Sequence, residues 1–455
     1  MDVVKLIYCG AVLAVSLTGC VYSPSADLPR PNSQAFNSNN LISTTEVIST
    51  TWWKVFNINE LEPLMLKLEN QNLSLSQAQK RIVRAQYLLT QAKAGDIPAI
   101  TGRLSGRRVQ DVDAGDSNHS STGSIGATWD ADIWGTRDAQ QRSRQLGVDI
   151  LQFQYADTLL DIQALFINTI IEQISLKAQL DIAIQNVEIS KQLLSLVQIR
   201  FEEGDTSGIE VSQQRNTLIN AESEVLRLTN SLTLNERALA VLLGDENMQS
   251  PSLNLSLADF AIPDLMPMLS ADVLRRRPDV QLAIAQFKQA DLTLYEASVA
   301  GLPGISLSAD IGVSDLFELA KGWTLGAAIS SAATLFDGGR LEAAEQAAKT
   351  DVDIAIVQYR QVVINAIEAL LNSQTTRVYQ QQNYRYALAS LENNEQLYKL
   401  ANIRYKAGDT DFLNLLNAQR SFFSARQSVI NSHQAVLSSI IATYRASAGA
   451  NIERS

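Results

Sequence analysis

The chain has 455 residues, with 37 Lys and Arg against 48 Asp and Glu, and a formal net charge of −11. That acidic balance repels phosphate backbones and excludes nucleic acid as a partner. Hydrophobic residues make up 46% but aromatic ones only 6%, a mix that suits long, polar-faced helices better than one thick core.

The first element is a leader. Lys5 precedes the apolar run LIYCGAVLAVSLTGC, which is too short to span a bilayer as a mature helix but has the charge, apolar core and small residues of a secretory signal over 1–19. Its end, Leu17-Thr18-Gly19-Cys20, resembles the lipobox of bacterial lipoproteins. The resemblance implies cleavage before Cys20, a diacylglycerol on its thiol and an acyl chain such as palmitate on its new amino group. An ordinary signal peptide with a stray Cys is the alternative. Cys9 leaves with the leader, so no intramolecular disulfide is available to the mature chain. Val21 follows the Cys where Asp commonly marks inner-membrane retention, which favours the outer membrane.

After an extended segment over 20–50, the chain divides into two similar halves, 51–250 and 251–455. Prolines fall in 24–98 and in 251–303, leaving 99–250 and 304–455 proline-free and equally long. Residues 73–98 overlay 278–303 without a gap, bringing Ala85 over Ala290 and Pro98 over Pro303. Each piece is predicted as a short helix. Pro278 and Asp279, within RRRPDV, supply the start of the second.

Next in each half comes a pair of strands, expected at 97–110 and 122–134 and at 304–314 and 323–336. Ile305, Leu307, Ala309, Ile311 and Val313 alternate with Ser306, Ser308, Asp310 and Gly312, a period of two. Ile125, Ala127, Trp129, Ala131 and Ile133 alternate in the same way, and residues 97–110 form a weaker, arginine-containing partner. Turn-rich loops are expected at 111–121 and 314–322. Strands of this length with one apolar and one polar face fit the lipid and lumen sides of an outer-membrane barrel. Four strands cannot close such a barrel, because open edges are not tolerated in lipid. Copies must therefore assemble. A dimer would give eight strands and a trimer twelve, and spacing does not choose between them. A small soluble sandwich is the alternative, but it leaves the clean alternation on a lipid-anchored chain without a reason.

The rest is helical. Residues 341–407 contain neither Gly nor Pro, and at about 1.5 Å per residue they would make a rod on the order of 100 Å long. RFEEGDT (200–206) and RYKAGDT (404–410) each precede a further helix. Beyond them Val211, Leu218, Val225, Leu232 and Leu239 align with Leu415, Phe422, Val429, Val436 and Thr443, every step being a heptad. Each motif is therefore a hairpin tip, at about 204–208 and 407–411, where Gly frees the backbone at a helix end and Asp or Thr caps the next start.

Catalysis has no good candidates. His119 falls in a predicted loop and His433 on a helix, and no His or Cys cluster has metal-ligand spacing. Glu202 and Glu203 sit at a tip as a solvated charge run, and FDGGR (336–340) lacks the lysine and spacing of a phosphate loop. Its Gly pair lets the strand bend into the long helix.

Cys20 together with WWKVFNINELEPLM (52–65), LRRRPDVQLAIAQF (274–287), LFDGGRL (335–341) and YKAGDTDFLNLLNAQRSFF (405–423) resembles the TolC-like outer membrane factors, in the lipoprotein branch that serves resistance-nodulation-division (RND) efflux pumps. The resemblance covers nearly all of the mature chain. It implies an α+β homotrimer: a 12-stranded outer-membrane β-barrel, four strands per chain, continued by a periplasmic α-helical coiled-coil barrel. It implies no enzyme activity and no cofactor beyond the lipid on Cys20. Partners would be outer-membrane lipid, an adaptor protein in six copies and an inner-membrane RND transporter. Gly204, Asp205, Thr206, Gly408, Asp409 and Thr410 would contact the adaptor. By motif position the periplasmic gate would be Leu413, Asn414 and Asn417, with asparagines where the family often has acidic residues. An apolar Leu413 ring is poorly wetted, and amides bond without carrying charge. The implied function is the outlet of a tripartite pump for small molecules. A type I protein-secretion outlet and a non-pore lipid-anchored scaffold are the alternatives.

Overall fold

The computed structural model describes residues 51–110, 117–251, 253–263, 271–314 and 322–448. Cys20, the leader and the segment up to residue 50 lie outside them, as do 111–116 and 315–321 of the two predicted loops. In chain order the elements are α1 (Leu61–Gln71), α2 (Leu73–Lys93), β1 (Ala99–Gln110), β2 (Ser117–Ala131), α3 (Thr136–Glu202) and α4 (Gly208–Leu242). The second half supplies α5 (Ala271–Arg276), α6 (Pro278–Val299), β3 (Gly304–Val313), β4 (Trp323–Ala332), α7 (Arg340–Lys406) and α8 (Phe412–Ala446). These elements form two compact units.

One unit holds the strands, paired antiparallel in the order β1-β2-β3-β4. The register aligns Ile125 with Ile311 and Leu325, and Trp129 with Leu307 and Ile329, so side chains of like polarity share a face. Ile100 and Leu104 of β1 join the apolar face through their partners Ala127 and Gly123. That face is open to its surroundings: Leu104 is 78% exposed, Leu325 83% and Ile329 78%. The other face carries Thr101, Arg103, Ser105 and Arg107 with Ser124, Thr128, Asp130, Ser308, Asp310, Thr324 and Ser330.

Five strand ends differ from the expected ones, the smallest difference being at β3, which ends at Val313 instead of 314. Pro98 has no N–H to donate, and Ile97 closes a turn onto the Ala94 carbonyl, so β1 starts at Ala99 rather than 97. Ser117–Ser121, expected in a loop, pair with Gln110–Gly106 and lengthen β2 at its start. At its end, Asp132 turns away to accept from the Arg137 and Asp138 N–H groups at 3.1 and 3.0 Å, capping α3 and stopping the strand at Ala131 instead of 134. Asp337 does the same for α7, accepting from Leu341 N–H at 3.0 Å. The intervening Gly338 and Gly339 take φ of 71° and 87°, and β4 ends at Ala332 instead of 336. Within this unit Phe287 of α6 packs on Val352 and Ala355 of α7.

The other unit is helical. Its largest core joins Trp52, Trp53 and Phe56 of a short 3-10 turn to Phe166, Ile167, Ile170 and Ile171 of α3 and to Leu437, Ile440, Ile441 and Tyr444 of α8. Trp52 stacks on Tyr444 with ring centroids 5.7 Å apart, and its indole N–H donates to Gln163 at 2.9 Å. Burial along α8 adds a column that hydrophobicity did not mark: Ala418, Ala425, Ser432, Ser439 and Ala446, again at heptad steps. Small side chains there let helices approach closely. Where larger polar groups meet they bond across the interface, as Gln179 does to Asn431 at 3.1 Å and Gln427 to Gln179 at 3.0 Å.

RRRPDV is built into this unit. Arg277 is 6% exposed; its guanidinium forms a forked pair with Asp279 (3.0 and 2.8 Å) and donates to the Ala446 carbonyl at the end of α8. Arg445 reaches from the same helix end to Asp157 and Asp161 on α3.

Candidate functional site

The two hairpin tips lie in the helical unit. Each motif folds into the same turn. Gly204 N–H donates to the Phe201 carbonyl at 3.1 Å and Asp205 N–H to Arg200 at 2.8 Å; Gly408 and Asp409 repeat this onto Tyr405 and Arg404 at 3.1 and 2.8 Å. This is the paired closure of a helix C-terminus through a left-handed residue, with φ of 84° at Gly204 and 78° at Gly408. Gly204, Asp205, Gly408 and Asp409 are exposed, and Thr206 and Thr410 are half-buried.

The cap is one position later than Gly-Asp-Thr suggests. Asp411, not Asp409 or Thr410, accepts from Asn414 N–H at 3.0 Å. At the first tip Ser207 holds the corresponding place and makes no side-chain capping bond.

The structure places Leu413, Asn414 and Asn417 together on the exposed side of α8, while Phe412, Leu415 and Leu416 turn inward onto Leu193 and Val197 of α3 and onto Tyr405. Leu413 is 55% exposed. Asn414 also donates through its amide to Thr410 Oγ1 at 3.2 Å, tying helix start to turn.

A contact that sequence reasoning missed joins the tips. Arg200, from the first motif, donates to the Tyr405 carbonyl at 3.0 Å and lies 4.7 Å from that ring's centroid. Tyr405 in turn donates through its hydroxyl to Glu210 Oε2 at 3.3 Å and packs edge-on against Phe412. Burial, and then the Glu210 charge, raise the Tyr405 phenol above its usual range, with Arg200 opposing them. Arg404, the counterpart of Arg200, makes no side-chain bond or ion pair among the described residues. The only available signal was the repeated Arg-aromatic pair.

Both histidines lie within regular elements. His433 stacks on Tyr384 at 4.7 Å, and burial lowers its pKa. His119 pairs with Arg108 in the β1-β2 ladder.

A two-faced antiparallel sheet with two open edges, joined in one chain to duplicated helical hairpins, is the fold of outer-membrane channel proteins. The family model described as outer membrane efflux protein matches residues 64–245 and 269–449, and the chain belongs to that family. It is 27% identical over 88% of its length to the pyoverdine export outer membrane protein OpmQ of Pseudomonas putida, covering 87% of that protein. It is 26% identical over 96% to the cation efflux system protein CusC of Escherichia coli O157:H7, covering 97% of it. Among solved structures, CusC superposes with a TM-score of 0.82 at 20% identity, over 93% of this chain and 98% of the other. The outer-membrane channel OprN gives 0.82 at 22% identity, over 95% and 99%. The chain is thus a TolC-like outer-membrane efflux channel protein of the Gram-negative envelope, extending into the periplasm, and not an enzyme.

Proposed function

We propose that three copies close their sheets into a 12-stranded barrel and their hairpins into a periplasmic tunnel, making a passive, gated outlet for small molecules. The observation that carries this reading is the sheet. Its apolar face is exposed, its polar face holds charges, and β1 and β4 each leave one edge unpaired, a state that lipid does not tolerate.

In this reading Cys20 carries the lipid that anchors the chain. Gly204, Asp205, Thr206, Gly408, Asp409 and Thr410 present six similar tips per trimer to six copies of a periplasmic adaptor. An inner-membrane transporter, of the RND type, supplies the energy. Leu413 narrows the closed end as an apolar ring, and Asn414 and Asn417 line it without charge. The exposure of these three side chains on one side of α8 supports that assignment. Relatives named for pyoverdine, cation and antibiotic export match the chain to similar extents, which fits a shared exit with selection made by the transporter.

Planar-bilayer recording on the purified protein tests the proposal, with discrete conductance from a trimer as the expected result. A protein that runs as a monomer in mild detergent and conducts nothing sinks it. Labelling of a cysteine placed between β1 and β2, within residues 111–116, on intact cells separates a channel from a periplasmic scaffold, in which that site stays unlabelled.

A further inference from the structure

On the polar face, one open edge of the sheet carries guanidinium groups, and a carboxylate stands one strand in from the other. At one edge, β1 presents Arg103 and Arg107, and neither guanidinium has a hydrogen-bond or ion-pair partner among the described residues. At the other, Asp310 stands on β3 directly opposite Gly326 of β4. Its carboxylate leans over that glycine: a Cβ at 326 would lie 2.6 Å from Asp310 Oδ1. Gly326 thus leaves a notch in the edge strand over which the carboxylate lies, and there it too has no partner among the described residues.

Pairing β4 of one copy with β1 of the next has to meet two conditions. The polar faces must stay on one side, so even-numbered β4 residues lie opposite odd-numbered β1 residues. All 10 residues of β4 must find partners, because unpaired backbone groups are costly in lipid. For antiparallel strands Trp323–Ala332 and Ala99–Gln110, two registers satisfy both. One sets Gly326 opposite Arg107. The other sets it opposite Ser105, with Arg107 and Arg103 as its diagonal neighbours, within reach of a long side chain.

We infer that Arg107 forms an ion pair with the partner subunit's Asp310 across every seam of the barrel, on its polar face. Arg107 reaches the notch in both registers, Arg103 in only one. The pair favours these two registers over larger slips and cancels two charges in the lumen. It rests on the proposal that copies of the chain close a common barrel, and it names the residues of this chain that would close it.

The test uses unboiled full-length protein on denaturing gels over a temperature series. Arg107→Asp and Asp310→Arg are each expected to lower the temperature at which the trimer dissociates, and the exchanged double variant to recover most of the loss. A variant with Arg107→Cys and Asp310→Cys provides an independent arm. The two positions lie two strand spacings apart, about 10 Å, so a bismaleimide linker of that span captures covalent dimers and trimers. If the wild type is trimeric but the exchanged variant is no more stable than the single ones and the linker captures nothing, the inference is overturned while the trimer stands. A monomeric, non-conducting wild type overturns both.

Discussion

The two hairpin tips share a turn and differ in what they hold. Both end a 67-residue helix on a left-handed glycine with the same two backbone bonds, and both restart a 35-residue helix. Yet Arg200 of the first tip is committed to Tyr405 of the second, whereas Arg404 has no such commitment. The residues that follow diverge as well. Glu210 reaches across to Tyr405, while its counterpart Asn414 turns back to its own Thr410, and Thr206 Oγ1 has no partner among the described residues. The two repeats share the geometry of the turn, and the residues around it make the first tip a brace and leave the start of α8 at the second exposed.

The largest asymmetry is expected at the arginines. Arg200→Ala removes a charge-assisted hydrogen bond and a ring contact together, about 2 kcal/mol, so hydrogen exchange at both tips should accelerate. Arg404→Ala should stay within about 0.5 kcal/mol by the same measurement. The glycines should show no asymmetry. Gly204→Ala and Gly408→Ala each force a side chain into the left-handed region at about 1–2 kcal/mol, and unequal losses of local protection would break the equivalence of the turns.

Caps come next. Asp411→Ala costs about 1 kcal/mol at the start of α8, read as faster exchange of the Asn414 amide. Ser207→Ala, with no capping bond to lose, should cost no more than a few tenths of that.

The smallest effect is one of pH. The Tyr405 phenol titrates above its unfolded value of about 10, so its contribution is complete below that pH and is lost as pH rises through the higher folded value. Tip opening followed by exchange or fluorescence should steepen there in the wild type and not in Tyr405→Phe.

Much of this fold could be read from local pattern. The absence of Gly and Pro over 341–407 corresponds to α7, and the alternation at 305–313 to the two faces of β3. The start of β2 could not be read, because Ser117–Ser121 are polar on both faces and are held in the ladder by their partners on β1. Nor could the burial of Arg277, whose bonds to Asp279 and the Ala446 carbonyl turn a basic run into an internal brace. At the tips, Gly-Asp-Thr disclosed the turn but not the cap at Asp411, since either neighbouring residue could cap by type. The Arg200–Tyr405 contact joins side chains far apart in the chain, and no periodicity reports such a meeting.

The proposed gate narrows the channel at the second tip and not at the first. Single-channel conductance of the purified trimer, compared between Leu413→Ser and Ile209→Ser, tests it most directly, since the two leucine-like residues occupy equivalent positions and both are exposed. Leu413→Ser should raise conductance and Ile209→Ser should leave it unchanged. Equal conductance in the wild type and Leu413→Ser would place the constriction elsewhere and contradict the account.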